Sequence, residues 1–530
     1  MNAERLLVHY EQIADAPDAI ARLRRFILNL AVRGKLVPQD ANDESASELL
    51  KRIAKEKAIT GSRETHKAEL YNKEELGELP PTWLAVPLIA LGSWAIGCGF
   101  PKNEQGLEIG PYFFLKVSDM NLPGNEKFVT TSNNFIDDDA AKRMRAKIHP
   151  PGTIIFPKIG GAIATNKRRI LTKGSAIDNN CLGITFGSAL NVEWAFLLLT
   201  TLDFTRYQAG TAVPALQQGV LERIPVGLPP LAEQHRIVVK VNELVGLCDR
   251  LEEKRAGREG VRDRLAAASL SRLNSPDPET FQADARFALD ALPALTARPD
   301  QIRPLRQTIL NLAVRGMLVE GTTAKAASVG EYRTLQNGYA FKSSWFSKSG
   351  VRLLRNANIG HDEIRWNDVV HLPEDRLSEF ERFQLNEGDI VLTLDRPFIV
   401  TGTKVARITA ADLPALLLQR VGRFVETSPG LDDDYLFLWI NSPHFNDQID
   451  PGRSNGVPHI SSKQVEAAEI FVPPLAEQHR IVAKVDALMA HCDKLEASLT
   501  ATAAIRRRLL DALLAEALAP PAERELKAAE

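Results

Sequence analysis

Apolar residues repeat at helical spacing in the opening segment, where Leu6, Ile13, Ile20, Leu23, Ile27, Leu30 and Ala31 recur at steps of three, four and seven. Arg33-Gly34 then supplies a stop, because glycine enters the left-handed conformation cheaply. A second amphipathic piece, Ala46 to Ala58, lies in a charged stretch that ends at Leu79-Pro80-Pro81 and reads as a short helix within a connector. From Trp83 to about Gly227 the period changes to two. The runs Tyr112 to Val117, Thr153 to Phe156 and Cys181 to Phe186 predict strands, with helices over Val192 to Leu202 and Leu216 to Arg223. Pro229-Pro230 then opens a long helix, since proline suits a first turn and no later one. Along it Ile237, Val241, Leu244, Cys248 and Leu251 step by fours and threes, the seam of a coiled coil, as far as Asn274.

The same order returns. Pro229 to Val238, PPLAEQHRIV, is repeated letter for letter from Pro473 to Val482. Pro17-Asp18 and Ile20 to Val37 match Pro299-Asp300 and Ile302 to Val319 at an offset of 282, and the proline-led stretch recurs at an offset of 244. The second copy therefore lacks roughly 40 residues after Val319, the connector of the first. Gly110 aligns with Gly350, Gly152 with Gly388, and Val213-Pro214 with Val457-Pro458. Strands follow over Val351 to Leu354, Asp389 to Leu392 and Gly422 to Val425, with helices over Tyr435 to Asn441 and Ser461 to Ala468. The second seam is Ile481, Val485, Leu488, Cys492, Leu495 and Leu499, on a helix to about Leu518. At 1.5 Å per residue each long helix spans roughly 65 Å. Neither seam is covered by its own helix, so an antiparallel coiled-coil pair is the expected partner for both.

The expected fold is α+β. It has a helical unit and connector (1–80), a mixed strand-rich domain (81–228), a central helical region (229–325), a second strand-rich domain (326–472) and a terminal helix (473–530), with a pseudo-twofold duplication. The residues between the framework strands differ almost completely between copies. One scaffold carrying two recognition surfaces fits that pattern.

Composition narrows the class. A chain of 530 residues with a net charge of -2 carries no global signal for a polyanion. Four cysteines without paired CxxC spacing, no apolar run of membrane-span length and a charged start predict a soluble intracellular protein in a reducing cytoplasm. No GxxxxGK[ST] loop is present, Gly97-Cys98-Gly99 lacks the third glycine of a dinucleotide site, and no Asn/Asp-Pro-Pro-aromatic tetrapeptide of an amino-methyltransferase occurs. His235 and His479 recur but have no second ligand at i+4, and Cys248 and Cys492 sit on the seam as spacers. These readings predict a non-catalytic chain without metal or cofactor. An autonomous methyltransferase or nuclease with unrecognised motifs and a DNA-binding regulator stand as alternatives.

The turns carry more chemistry. In the first domain Lys158, Asn166, Lys167, Arg168, Arg169, Asn179, Asn180, Arg206 and Gln208 lie in or beside turns. The second domain offers Lys342, Ser343, Arg355, Asn356, Arg396, Thr403 and Lys404, followed by Gln419, Arg420, Arg453, Asn455 and His459. Arg, Asn and Gln read guanine and adenine edges, while Lys and Arg hold phosphates. Residues 326–472 nevertheless contain 15 Lys/Arg against 20 Asp/Glu, a balance of -5, where a domain binding DNA alone is usually basic.

Taken together these segments resemble the specificity subunit of type I DNA restriction-modification systems. The resemblance is carried by RRFILNLAVRGKLVPQD (Arg24 to Asp40), SASELL (Ser45 to Leu50), LPPTW (Leu79 to Trp83), NGYAFKSSWF (Asn337 to Phe346), VRLLRNANI (Val351 to Ile359) and both PPLAEQHRIV helices. It implies that each variable domain is a target recognition domain reading one half of a split double-stranded DNA site. It further implies that the conserved helices set the spacer and dock two methyltransferase subunits, with two ATP-dependent translocase and nuclease subunits added for cleavage. S-adenosylmethionine and ATP would then belong to the partners. The missing connector and LPxxW entry of the second copy depart from that symmetry.

Overall fold

The computed structural model describes residues 15–16, 18–59, 76–210, 213–275, 277, 279–320, 323–454 and 457–518; Leu6, Ile13 and Asn455 lie outside them. The chain divides into two compact units, one of residues 1–256 with 505–530 and the other of 257–504.

The first unit opens with α1 (Ala19–Val32) and α2 (Ala46–Ile59). Gly34 at φ 67° ends α1 in the left-handed conformation, and Lys35 N–H closes back on the Leu30 carbonyl at 3.0 Å, as Arg33-Gly34 predicted. Strands β1 (Leu84–Pro87), β2 (Gly92–Ile96), β3 (Tyr112–Leu115), β4 (Phe128–Val129) and β5 (Phe135–Ile136) precede α3 (Asp138–Met144). Next come β6 (Ile154–Pro157), β7 (Arg169–Leu171), β8 (Ser175–Ile177), β9 (Cys181–Phe186) and α4 (Val192–Thr201). Asn191 caps α4 by accepting from Trp194 N–H at 3.0 Å. The hairpin β10 (Gln208–Ala209) to β11 (Ala215–Leu216), then α5 (Gln218–Leu221) and β12 (Pro225–Leu228), lead into α6 (Leu231–Asn274). The main sheet has the order β2-β9-β6-β7-β4; a smaller one is β5-β3-β8, and β1 pairs with β12.

The second unit repeats this plan. After the end of α6 it holds α7 (Phe281–Asp290), α8 (Leu292–Leu295) and α9 (Pro299–Val314), then β13 (Lys325–Ser328), β14 (Arg333–Asn337), β15 (Val351–Leu354) and β16 (His371–Leu372). These continue as β17 (Ile390–Thr393), β18 (Phe398–Ile399), β19 (Gly402–Thr403), β20 (Val405–Arg407), β21 (Ala415–Leu417) and β22 (Val421–Glu426). Last come α10 (Asp433–Ile440), α11 (Pro443–Gln448), β23 (Gly452–Ser454), β24 (Val457–His459), α12 (Ser462–Ala467), β25 (Glu469–Val472) and α13 (Leu475–Leu518). Its sheets are β14-β22-β17-β20 and β16-β15-β21, with β13 paired to β25 and β23 to β24, the strand order of the first unit except that it lacks β4 and adds the pair β18-β19. Among the described residues no counterpart of α2 lies between α9 and β13. Two mixed, strand-rich domains on one duplicated framework with two long helices are thus observed.

The seams find a cover that periodicity did not identify. In the first unit Ile237, Val241 and Cys248, with Leu244 against them, share a core with Ile27 and Ala31 of α1 and with Leu228 and Trp194 of the domain. Arg24 of α1 pairs with Asp249 and Glu252, both at 2.6 Å. In the second unit Ile481, Val485 and Cys492, with Leu488 against them, pack with Ile302 and Ile309 of α9, and Arg306 pairs with Asp493 and Glu496. The first half of each long helix thus also packs its apolar face into a core shared with the N-terminal helix of its own copy. Beyond those contacts Leu251 and Leu495 are each 37% exposed. Steps of four and three define a face, and the choice of partner is tertiary.

Candidate nucleic-acid interface

In the first unit the C-terminal ends of β2 and β6 and the N-terminal end of β9 lie at one end of the main sheet, since Ile96 pairs with Leu182 and Pro157 with Cys181. Four segments meet there. Lys158 N–H donates to the Asn180 carbonyl at 2.7 Å, and Leu216 N–H of the β10–β11 hairpin donates to the Lys158 carbonyl at 2.9 Å. Cys98, following β2, bridges to Asp178. The Asp178 carboxylate accepts from Asn180 N–H and Nδ2 at 3.1 and 2.9 Å, an Asx turn that leaves Asn179 and Asn180 exposed. Gln208, at the base of the hairpin, is exposed too.

The second unit builds the same end from different side chains. Leu394 N–H donates to the Arg420 carbonyl at 2.8 Å, Ile460 N–H to Leu394 at 2.9 Å, and Arg396 N–H to Pro458 at 2.8 Å. Tyr339 bridges to Leu418 and Asp395 to His459. Arg396 and Arg420 hold φ of 49° and 72°, left-handed conformations that a non-glycine residue adopts at a cost, and such strain concentrates at functional sites. The Asp395 carboxylate takes His459 Nδ1 at 2.7 Å and the Arg420 guanidinium at 3.4 Å. Exposed Gln419 donates its N–H to Tyr339, and exposed Lys342 and Ser343 continue the segment after β14. Arg453 lies in β23.

Two predicted readers are internal. Arg168 is 2% exposed; its guanidinium donates to the carbonyls of Lys167, Leu199 and Leu202 and stacks 4.0 Å from the Phe204 ring centroid. Burial pushes it down, to about 9, which leaves it charged at neutral pH. Arg168 is a structural residue. Thr403 is buried as well, its hydroxyl held by the Ile440 carbonyl and the Asn446 side chain at 3.0 and 3.1 Å. Isolated positions in a turn-rich sequence do not reveal which way a side chain faces.

Other candidates lie elsewhere in their domains. Arg169 is half-buried and staples the Met120 carbonyl at 2.7 Å; Lys167 bonds Asn121. Asn166, at φ 51°, bonds the Thr200 carbonyl and lines a separate cleft with Arg206, Arg25 and Asn29. Arg355 pairs with Asp368 at 2.9 Å. Lys404 Nζ donates to the Asn356 carbonyl at 2.5 Å, and burial first, then Arg396, pushes its ammonium below the usual range.

Sequence reasoning missed the segment after β2. A Cβ on Gly97 would lie 1.9 Å from the Asp178 carbonyl oxygen, and one on Gly338 would lie 2.3 Å from that of Leu418. Both glycines permit a close backbone approach that brings the segments after β2 and β14 onto the reading turn, and exposed Lys102 and Asn103, or Lys342 and Ser343, follow a few residues on in the chain. The signal was two glycines at equivalent positions of the repeat, each soon followed by phenylalanine.

The acidic balance of the second domain also resolves locally. Asp433 pairs with Arg333 at 3.0 Å, Asp434 with Arg407 at 2.6 Å and Asp389 with Arg423 at 3.0 Å, while Arg396 makes no ion pair among the described residues. No group of three His, Cys, Asp or Glu side chains fit for a metal occurs among the described residues. His235 binds its own Leu231 carbonyl at 2.9 Å, and burial pushes the thiols of Cys248 and Cys492 up. No described helix is long and apolar enough to cross a membrane.

The family model for the type I restriction modification DNA specificity domain matches residues 107–256 and 325–503. The type I restriction enzyme EcoAI specificity subunit of Escherichia coli is 33% identical over 93% of this chain and 93% of its own. The EcoEI specificity subunit of Escherichia coli is 24% identical over 94% of each. A solved chain described under complex assembly and conformational transition of the type I R-M system shares the fold at a TM-score of 0.50 and 18% identity, across 83% of this chain and 98% of that one. A family match over more than half of the chain, together with a relative this similar along nearly its whole length, places the chain in the family of type I restriction-modification specificity subunits.

Proposed function

We propose that this chain is the non-catalytic DNA-recognition subunit of a type I restriction-modification complex. The target recognition domains, 81–228 and 326–472, each read one half of an asymmetric, bipartite double-stranded site. The observation that carries this reading is the sheet end built twice with different chemistry: Lys158, Asn179, Asn180 and Gln208 in one unit, and Lys342, Ser343, Arg396, Gln419, Arg420 and His459 in the other. Amides and guanidinium groups carried on turns suit base edges in the major groove, and lysines suit phosphates. Two unlike surfaces read two unlike half-sites, so the site is not a palindrome.

The long helices, 44 residues each, set the length of the unread spacer and dock the partners. Those partners are two methyltransferase subunits, with two ATP-dependent restriction and translocase subunits in the full complex, acting in the cytoplasm. They hold S-adenosylmethionine and ATP, and this chain binds no cofactor. Incubating the purified chain with DNA and labelled S-adenosylmethionine tests the assignment. No methyl transfer is expected until the modification subunit is added, and transfer by the chain alone would overturn it.

A further inference from the structure

The two copies differ in what covers the start of their long helix. In the first unit the connector lies over it: Leu49 and Ile53 of α2 and Trp83 are buried in one core with Leu91 and Leu228. Its polar groups are matched as well. Asp43 takes the Arg236 guanidinium at 2.6 and 3.1 Å, Glu56 accepts from Ser188 Oγ at 2.7 Å and from Ala189 N–H at 3.3 Å, and Lys57 donates to the Ile89 carbonyl at 2.7 Å.

The second unit has the receiving surface without the helix. Strand register fixes the correspondence, since Leu84 pairs with Leu228 and Lys325 with Val472. Tyr332 therefore stands for Leu91, Pro474-Leu475 for Pro230-Leu231, and Arg480 for Arg236, while Pro429-Gly430 lie in the turn after β22 as Ser188-Ala189 lie in the turn after β9. Tyr332, Pro429, Gly430, Val472, Pro474 and Leu475 line an open groove. Pro230 is buried where Pro474 is exposed, and Leu475 is 46% exposed. Trp83 is buried where Ala324 is exposed. Arg480 is exposed and makes no ion pair among the described residues, whereas Arg236 has Asp43.

We propose that this groove docks an amphipathic helix of a partner protein. The first copy specifies its chemistry. It carries an acidic residue for Arg480, in the place of Asp43, then a small residue three positions on and large aliphatic residues six and ten positions on, in the places of Ala46, Leu49 and Ile53. An isolated helix of this length is marginal in water, so it folds as it binds. The helix comes from another subunit of the assembly, and to that extent the inference rests on the function proposed above.

The probe is a fluorescein-labelled peptide of residues 38–59, which carries that pattern, titrated by anisotropy into the full chain without DNA. Saturable binding is expected, weakened at least tenfold by Leu475→Asp and by Arg480→Glu. A peptide carrying Asp43→Arg should recover affinity for Arg480→Glu alone, which separates lost pairing from a damaged fold. No saturable binding, or binding indifferent to both substitutions, would overturn the proposal. Benzoylphenylalanine at position 475 in the reconstituted complex should crosslink to a helix of a partner subunit, and a crosslink only to a second copy of this chain would likewise sink it. The peptide arm involves no DNA, so its failure leaves the recognition assignment standing, and a failed methyl-transfer test leaves the groove standing.

Discussion

At the scale of single residues, buried and exposed polar side chains take opposite roles. Arg168 is enclosed by carbonyls and Phe204, so Arg168→Met should cost about 3 kcal/mol through unpaired buried acceptors, read as a lower denaturation midpoint. Asn180→Ala, at an exposed turn, should leave that midpoint within about 0.5 kcal/mol and weaken one half-site instead. In the second unit Arg420→Ala should relax discrimination at one base pair by about 1–3 kcal/mol, read by binding of the assembled complex to single-base variants. Glu233 gives a pH signature. It is fully buried, with one oxygen accepting from Trp83 Nε1 at 2.9 Å and Gln39 Nε2 at 2.7 Å and the other unpaired. Burial raises its carboxyl above the usual range, against the pull of those two bonds. Its contribution to stability is therefore present below the usual carboxylate range and is lost as pH rises through the raised value. Glu233→Gln keeps the acceptor and should stabilise the chain relative to wild type at neutral pH, an advantage that shrinks in acid. Urea unfolding across that range checks it.

At the scale of elements, the close-approach glycines and the long helices make separate claims. Gly97→Ala forces a Cβ onto the Asp178 carbonyl and should displace the turn carrying Asn179 and Asn180. Recognition of one half-site should fall at least tenfold while the other is still read, as single-half-site competition would show; Gly338→Ala should give the converse. Inserting four residues into α6, about one turn of 6 Å, should lengthen the unread spacer by a base pair or more. Methylation mapping that returned an unchanged spacer would remove the helices from that role. The elements themselves were largely legible. α6 ends at Asn274 as its proline break implied, α13 is helical through Leu518, the last described residue, and the run Cys181 to Phe186 is β9 residue for residue. The paired hairpins β10–β11 and β23–β24 were not anticipated, because strands of two or three residues are too short to show a period.

At the scale of the whole molecule, duplication makes the halves exchangeable. Replacing residues 326–472 with the corresponding domain of a relative should change one half of the methylated site and preserve the other, a result methylome sequencing reads directly. Both halves changing would contradict one domain per half-site. The sequence by itself determined that the chain is built twice, where its strands and long helices run, that α2 has no second counterpart, and which family it resembles. Those features follow from local periodicity, from proline and glycine at element ends, and from identity between copies. Only the tertiary structure decided which turns meet at the sheet end, that Arg168 and Thr403 face inward, and that α1 and α9 cover the seams. It also left Arg480 and Leu475 uncovered where Arg236 and Leu231 have the connector. Spacing along a chain fixes the direction of a side chain relative to its own element. What that side chain meets depends on strand register and helix packing between distant segments, which no local pattern encodes.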